Sequence, residues 1–91
     1  MLIKKERLIK SFCELVSLDS ESFQERQVAD YIIDKLKNIG FEVFEDDCGS
    51  KIGANAGNVY GYWKGTLPGE PILLSAHMDT VKPGKGKGAI I

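Results

Sequence analysis

The spacing of apolar residues changes at Gly40, and that change constrains what this chain can fold into more than any other feature. Before it, Leu8, Ile9, Phe12, Leu15 and Val16 recur at three- and four-residue intervals, with Lys4, Glu6, Lys10 and Glu14 between them. This is the stripe of an amphipathic helix, expected from about Ile3 to Leu18. A polar stretch follows, and Ser22-Phe23-Gln24-Glu25 has the form of a capping box, in which Glu25 reaches back to the cap amide. A second stripe, Val28, Ala29, Ile32, Ile33, Leu36 and Ile39, predicts a helix from about Phe23 to Ile39. Gly40 stands where a left-handed helix terminator belongs.

Beyond Gly40 the period becomes that of a strand. Phe41-Glu42-Val43-Phe44-Glu45 carries the alternation of a strand with one wet face. Residues 46–58 are turn-rich, and Val59-Tyr60-Gly61-Tyr62-Trp63 is dense in aromatic and β-branched side chains. A tight connection, Thr66-Leu67-Pro68-Gly69-Glu70-Pro71, leads into Ile72-Leu73-Leu74-Ser75-Ala76. That run is apolar without alternation, as in a strand covered on both faces. The expected fold class is α/β, with two N-terminal helices packed on a mixed or mostly parallel sheet.

Two helices cannot cover both faces of three strands, so this domain is expected to be incomplete on its C-terminal side. The apolar run Ala89-Ile90-Ile91, where a polar, frayed terminus is commoner, points the same way. Residues 1–91 show no repeat and no internal boundary, and a chain of 91 residues buries only a modest share of its surface. Folding alone, it is expected to form homo-oligomers through an exposed edge or face.

Composition excludes several classes. At 43% hydrophobic and 27% charged, the chain reads as soluble and globular rather than disordered. Twelve Lys and Arg balance thirteen Asp and Glu, which argues against nucleic-acid and anionic-lipid partners. No apolar run approaches the roughly 20 residues that span a bilayer. The N-terminus turns charged at Lys4, unlike a signal peptide. Cys13 and Cys48 form no C-x-x-C pair, so the default is packing or chance in a reducing cytoplasm.

His77 is the only histidine, at the end of the third strand, with Asp79 two residues on. Residues two apart in extended backbone point the same way, so both side chains can face one pocket. An imidazole can hold a metal through one nitrogen while a carboxylate orients the other. Taken alone, H-x-D favours a hydrogen-bonded structural histidine. Other patterns carry less. Gly84-Lys85-Gly86-Lys87-Gly88 lacks the Lys-Ser/Thr ending and the helix of a phosphate loop, and reads as a solvated turn. Tyr60, Tyr62 and Trp63 read as sheet packing rather than base stacking. Asp46-Asp47 lacks the ligand spacing of a calcium loop, and Glu21 and Glu25 read as helix-start charges.

The run Pro71 to Val81, including His77-Met78-Asp79, resembles the metal-binding signature of the aminoacylase and peptidase T family of two-zinc metallopeptidases. Gly57-Asn58-Val59-Tyr60-Gly61 resembles the start of that family's preceding strand. Gly65 to Gly69 resembles the turn before its signature, and Ser22 to Gly40 its second helix. The likeness covers essentially the whole chain in order. The loop Ile52 to Asn58 and the tail Pro83-Gly84-Lys85-Gly86 look most like the tripeptide-specific peptidase T branch. Lys82 stands where a proline is common, a departure that touches the loop alone.

The resemblance implies that His77 is a metal ligand and Asp79 the acidic catalytic residue that orients it. It implies two zinc ions in a complete site, with cobalt or manganese as substitutes, and a short peptide as substrate. The reaction implied is peptide hydrolysis by a metal-activated water, in an aminopeptidase to which residues 1–91 contribute the N-terminal part of the catalytic domain. The bridging aspartate, the paired glutamates and the later ligands have no counterpart here. The isolated chain is therefore expected to be inactive and to bind zinc weakly. Dipeptidase, carboxypeptidase and N-acyl amino acid deacylase activities occur within the same family. The competing reading is a stand-alone α/β interaction module without catalysis.

Overall fold

The computed structural model describes residues 4–66 and 68–89. The expectations placed on Ile3, Leu67, Ile90 and Ile91 lie outside the described residues. Helix α1 spans Lys5–Ser17 and helix α2 spans Arg26–Asn38. They are followed by strand β1 (Glu42–Glu45), a short helix α3 (Cys48–Lys51) and strand β2 (Val59–Tyr62). The strands pair antiparallel, with Glu42 opposite Tyr62 and Glu45 opposite Val59. The sheet is therefore antiparallel, not the mixed or mostly parallel one expected; the one parallel contact among the described residues, between Glu21 and Thr80, is an isolated bridge outside it. Helices with a small sheet bear out the α/β class.

Helix α2 ends as Gly40 predicts. Gly40 takes φ +99°, the Phe41 amide donates to the Leu36 carbonyl at 2.9 Å, and the Gly40 amide donates to Lys37 at 3.1 Å. Those two bonds are a Schellman terminator, and they turn the chain directly into β1. The start of α2 departs from expectation. The capping box does not form: Glu25 is the N-cap, its side chain makes no capping bond, and Phe23 takes φ +69°. Asn55, from the loop before β2, caps the helix instead, its Oδ1 accepting the Arg26 amide at 2.9 Å. This side-chain cap from a distant loop leaves Ser22 available for another partner.

Polar contacts join the layers. Tyr31 of α2 donates its hydroxyl to Glu14 of α1 at 2.5 Å. That bond holds the Glu14 carboxyl below its usual range and raises the Tyr31 hydroxyl. Arg26 grips Glu45 of β1 through both guanidinium nitrogens, at 2.6 and 2.9 Å. Leu36 lies over Gly61 of β2, and the rings of Phe44 and Tyr60 face each other across the strands at 5.8 Å. Residues 46–58, expected as turns, contain α3. Asp46, just before α3, accepts the Cys48 and Asn58 amides, the Asn58 side chain and the Tyr60 hydroxyl.

The core is small. Val28, Ala29 and Ala56 are its buried hydrophobic residues among those described, and α1 buries none of its stripe. The chain measures 44 × 38 × 19 Å with a radius of gyration of 14.8 Å. A compact chain of this length has a radius near ~12 Å. The third strand is the largest departure. Ile72, Leu73 and Leu74 form no strand and pair with none among the described residues, and each is 88–89% exposed. An unalternating apolar run needs neighbours on both sides to become a buried strand, and here it has none.

Candidate functional site

Segment 73–79 forms one wall of a cleft of about 680 Å³. Ile32 of α2 and Val59 and Tyr60 of β2 line it from other elements, and Glu25 and Asn58 contribute the remaining polar groups. The two residues singled out from sequence meet there. His77 presents an imidazole that is 96% exposed, and its Nδ1 lies 3.7 Å from Asp79 Oδ1. The two side chains two residues apart thus come close to one another, as the H-x-D spacing allows. Asp79 Oδ2 accepts the Ser22 hydroxyl at 2.5 Å. The pair therefore has a defined order: hydroxyl, carboxylate, imidazole.

Three features of the surroundings lay outside the sequence reading. Ser22 was expected to cap a helix and instead reaches Asp79. Glu25 Oε1 is buried without a hydrogen-bond partner among the described residues, on the edge of the cleft. Glu21, expected as a solvated helix-start charge, is 8% exposed and accepts the Gly84 amide at 3.0 Å. The Gly84–Gly88 tail is likewise docked rather than solvated. Gly84 is buried, the Gly86 amide donates to Asp19 Oδ1 at 2.9 Å, and Lys87 Nζ donates to the Leu18 carbonyl at 2.5 Å. No periodic signal marks such bonds. The one available hint was the crowding of Asp, Ser and Glu between two helices, which exceeds what one cap needs.

The donor set fits one arm of a metal site. The imidazole is exposed, with a carboxylate oxygen 3.7 Å from its Nδ1, close to but short of the hydrogen bond that orients a histidine ligand. Among the described residues no group of three or more His, Cys, Asp or Glu side chains is placed to hold a metal.

No family model matches this chain. A crystal structure of aminopeptidase PepT from Bacillus cereus superposes with a TM-score of 0.73 and 39% identity, covering 92% of this chain and 23% of that one. This chain is similar to part of a PepT aminopeptidase. The uncharacterized protein YqjE of Bacillus subtilis is 36% identical over 99% of this chain and 24% of its own length. A protein of Uncinocarpus reesii named as a probable carboxypeptidase is 31% identical over 90% of this chain and 20% of its own. The chain thus spans about a quarter of the length of the relatives it matches. Likeness at this identity over nearly the whole chain makes the α/β unit part of a peptidase fold. Peptidases of this kind are generally metal-dependent. No helix among the described residues is long and apolar enough to cross a membrane.

Proposed function

We propose that this chain is the N-terminal part of the catalytic domain of a metal-dependent exopeptidase, an aminopeptidase acting on short peptides in the cytoplasm. The observation that carries the proposal is the His77–Asp79 pair on the wall of a cleft, in a chain 39% identical to part of a PepT aminopeptidase.

In this reading His77 would ligate a metal through Nε2, and Asp79, on the Nδ1 side, would accept a hydrogen bond from the Nδ1–H once the pair closes from 3.7 Å, fixing the tautomer. Asp79 is the acidic catalytic residue by virtue of that contact. Ile32, Leu73 and Leu74 line the same cleft as the pair. Zinc is the proposed metal, two ions in a complete site, with cobalt or manganese as substitutes. When bound, such a metal acidifies water and polarises a carbonyl. A catalytic zinc takes about three protein ligands, so the other ligands and the general base belong to parts of the whole protein outside the described residues.

Tripeptides are the first substrates to test, given the PepT likeness. The Uncinocarpus reesii relative supports the second reading, cleavage from the carboxyl end. The whole protein, purified and given a tripeptide, should release the N-terminal residue, lose activity to a chelator and regain it with zinc. Release of the C-terminal residue would establish the second reading. Hydrolysis indifferent to chelator would refute both.

A further inference from the structure

Asp79 lies in a clasp that the metal reading does not use. The segment between the first two helices, residues 18–22, is bonded to residues 78–87 along its length. Ser20 Oγ donates to the Met78 carbonyl, and the Thr80 amide donates back to the Ser20 carbonyl at 2.7 Å. Glu21 takes the Gly84 amide, Asp19 the Gly86 amide and the Leu18 carbonyl the Lys87 ammonium. Ser20 is 2% exposed and Glu21 8%, so the middle of the clasp is dry.

Ser20 therefore grips the backbone on both sides of Asp79, at Met78 and at Thr80. With the backbone held, what remains undetermined is the rotation of the Asp79 side chain. That side chain is 36% exposed and would otherwise spread over several rotamers. Ser22 Oγ, at 2.5 Å from Oδ2, settles the rotation. With Oδ2 held there, Oδ1 lies on the Nδ1 side of His77, 3.7 Å away.

We infer that Ser22 is a positioning residue: its hydroxyl holds Asp79 in the rotation that orients His77 for metal. The inference rests on the proposed roles of His77 and Asp79, and it gives the 18–22 segment a purpose beyond joining two helices. A hydroxyl donating to a carboxylate is a charge-assisted bond, short and directional, which suits it to setting an angle. Partners one step removed from a metal ligand typically change metal affinity or activity by about 10–100-fold when removed.

The test uses the whole protein in five forms: unaltered, Ser22→Ala, Ser22→Thr, His77→Ala, and Ser17→Ala as a control. Ser17 bonds the Glu14 carbonyl at the far end of α1 and touches nothing in the clasp. Zinc affinity is read by competition with a coloured chelator, kcat and KM on a tripeptide, and folding by thermal melting. Ser22→Ala should weaken zinc binding and lower kcat by about 10–100-fold, with KM and the melting temperature little changed. Ser22→Thr, which keeps the hydroxyl, should restore both, and Ser17→Ala should match the unaltered protein. Zinc affinity and kcat unchanged in Ser22→Ala while His77→Ala loses both would overturn the positioning role and leave the metal reading standing. An unaltered His77→Ala would overturn the metal reading and this inference with it. Equal losses in Ser22→Ala and in a well-folded Ser22→Thr would also overturn the role assigned to the hydroxyl.

Discussion

Truncating Glu21 to alanine removes the acceptor at the centre of the clasp, and the consequence can be worked from the contacts. Glu21 Oε2 accepts the Gly84 amide at 3.0 Å in a buried position. Lys85 Nζ is 4.0 Å from Oε1 with its own side chain 65% exposed, so it adds little. A hydrogen bond to a charged acceptor contributes about 1.5–3 kcal/mol net, and its loss leaves the Gly84 amide buried without a partner. At ~1.4 kcal/mol per tenfold, the Gly84 amide should exchange with solvent about 10–150-fold faster in Glu21→Ala. Amide hydrogen exchange by NMR reads this residue by residue, with Ala29, fully buried in α2, as the internal reference. Glu21→Gln keeps an oxygen acceptor without the charge and should show a smaller acceleration, since neutral bonds contribute ~0.5–1.5 kcal/mol. Unchanged exchange at Gly84 in Glu21→Ala would show that this carboxylate does not hold the clasp.

Acid should loosen the junction between α2, β1 and the 55–58 loop. The Glu45 carboxyl is held below its usual range, first by Arg26 and then by the Gly57 amide, and Asp46 is lowered chiefly by the Asn58 side chain and amide. Both values fall on folding, so this stabilisation is complete above the ordinary carboxylate range of about 4 and is lost as pH drops through the folded values. The urea midpoint should therefore hold from pH 7 to about 4.5 and then decline; a constant midpoint down to pH 2 would contradict it. Gly57→Ala should destabilise by about 1–3 kcal/mol, as overpacking does, because a Cβ there would stand 2.0 Å from the Asp46 carbonyl oxygen. A wild-type urea midpoint in that variant would count against the described loop. The isolated 91-residue chain leaves Leu8, Phe12 and Ile72–Leu74 more than half exposed and should self-associate with rising concentration in sedimentation velocity. A concentration-independent monomer would refute that.

Much of the fold was legible because its signals are local. Two helical stripes, the Gly40 terminator and the alternation of Phe41–Glu45 each involve residues close in sequence, and the structure returns them within a few residues. The approach of His77 to Asp79 is local in the same sense, since the two stand two residues apart. What escaped was long-range. The Ser22–Asp79 bond joins residues 57 apart, whereas the capping-box pattern paired Ser22 with nearby Glu25; Asn55 caps the helix at Arg26 instead. Glu21, Asp19 and Leu18 bind amides and an ammonium on 84–87, contacts that no apolar period announces. Ile72–Leu74 has the composition of a buried strand, but strand pairing depends on neighbours the segment itself cannot supply.

The central claim is that His77 binds the catalytic metal of an exopeptidase. The most direct measurement is anomalous X-ray scattering at the zinc edge from crystals of the whole protein grown with zinc. The account predicts a peak roughly 2.0–2.1 Å from His77 Nε2, the usual zinc–imidazole distance, with Asp79 on the Nδ1 side. An active enzyme with ordered zinc elsewhere and His77 unligated would contradict it.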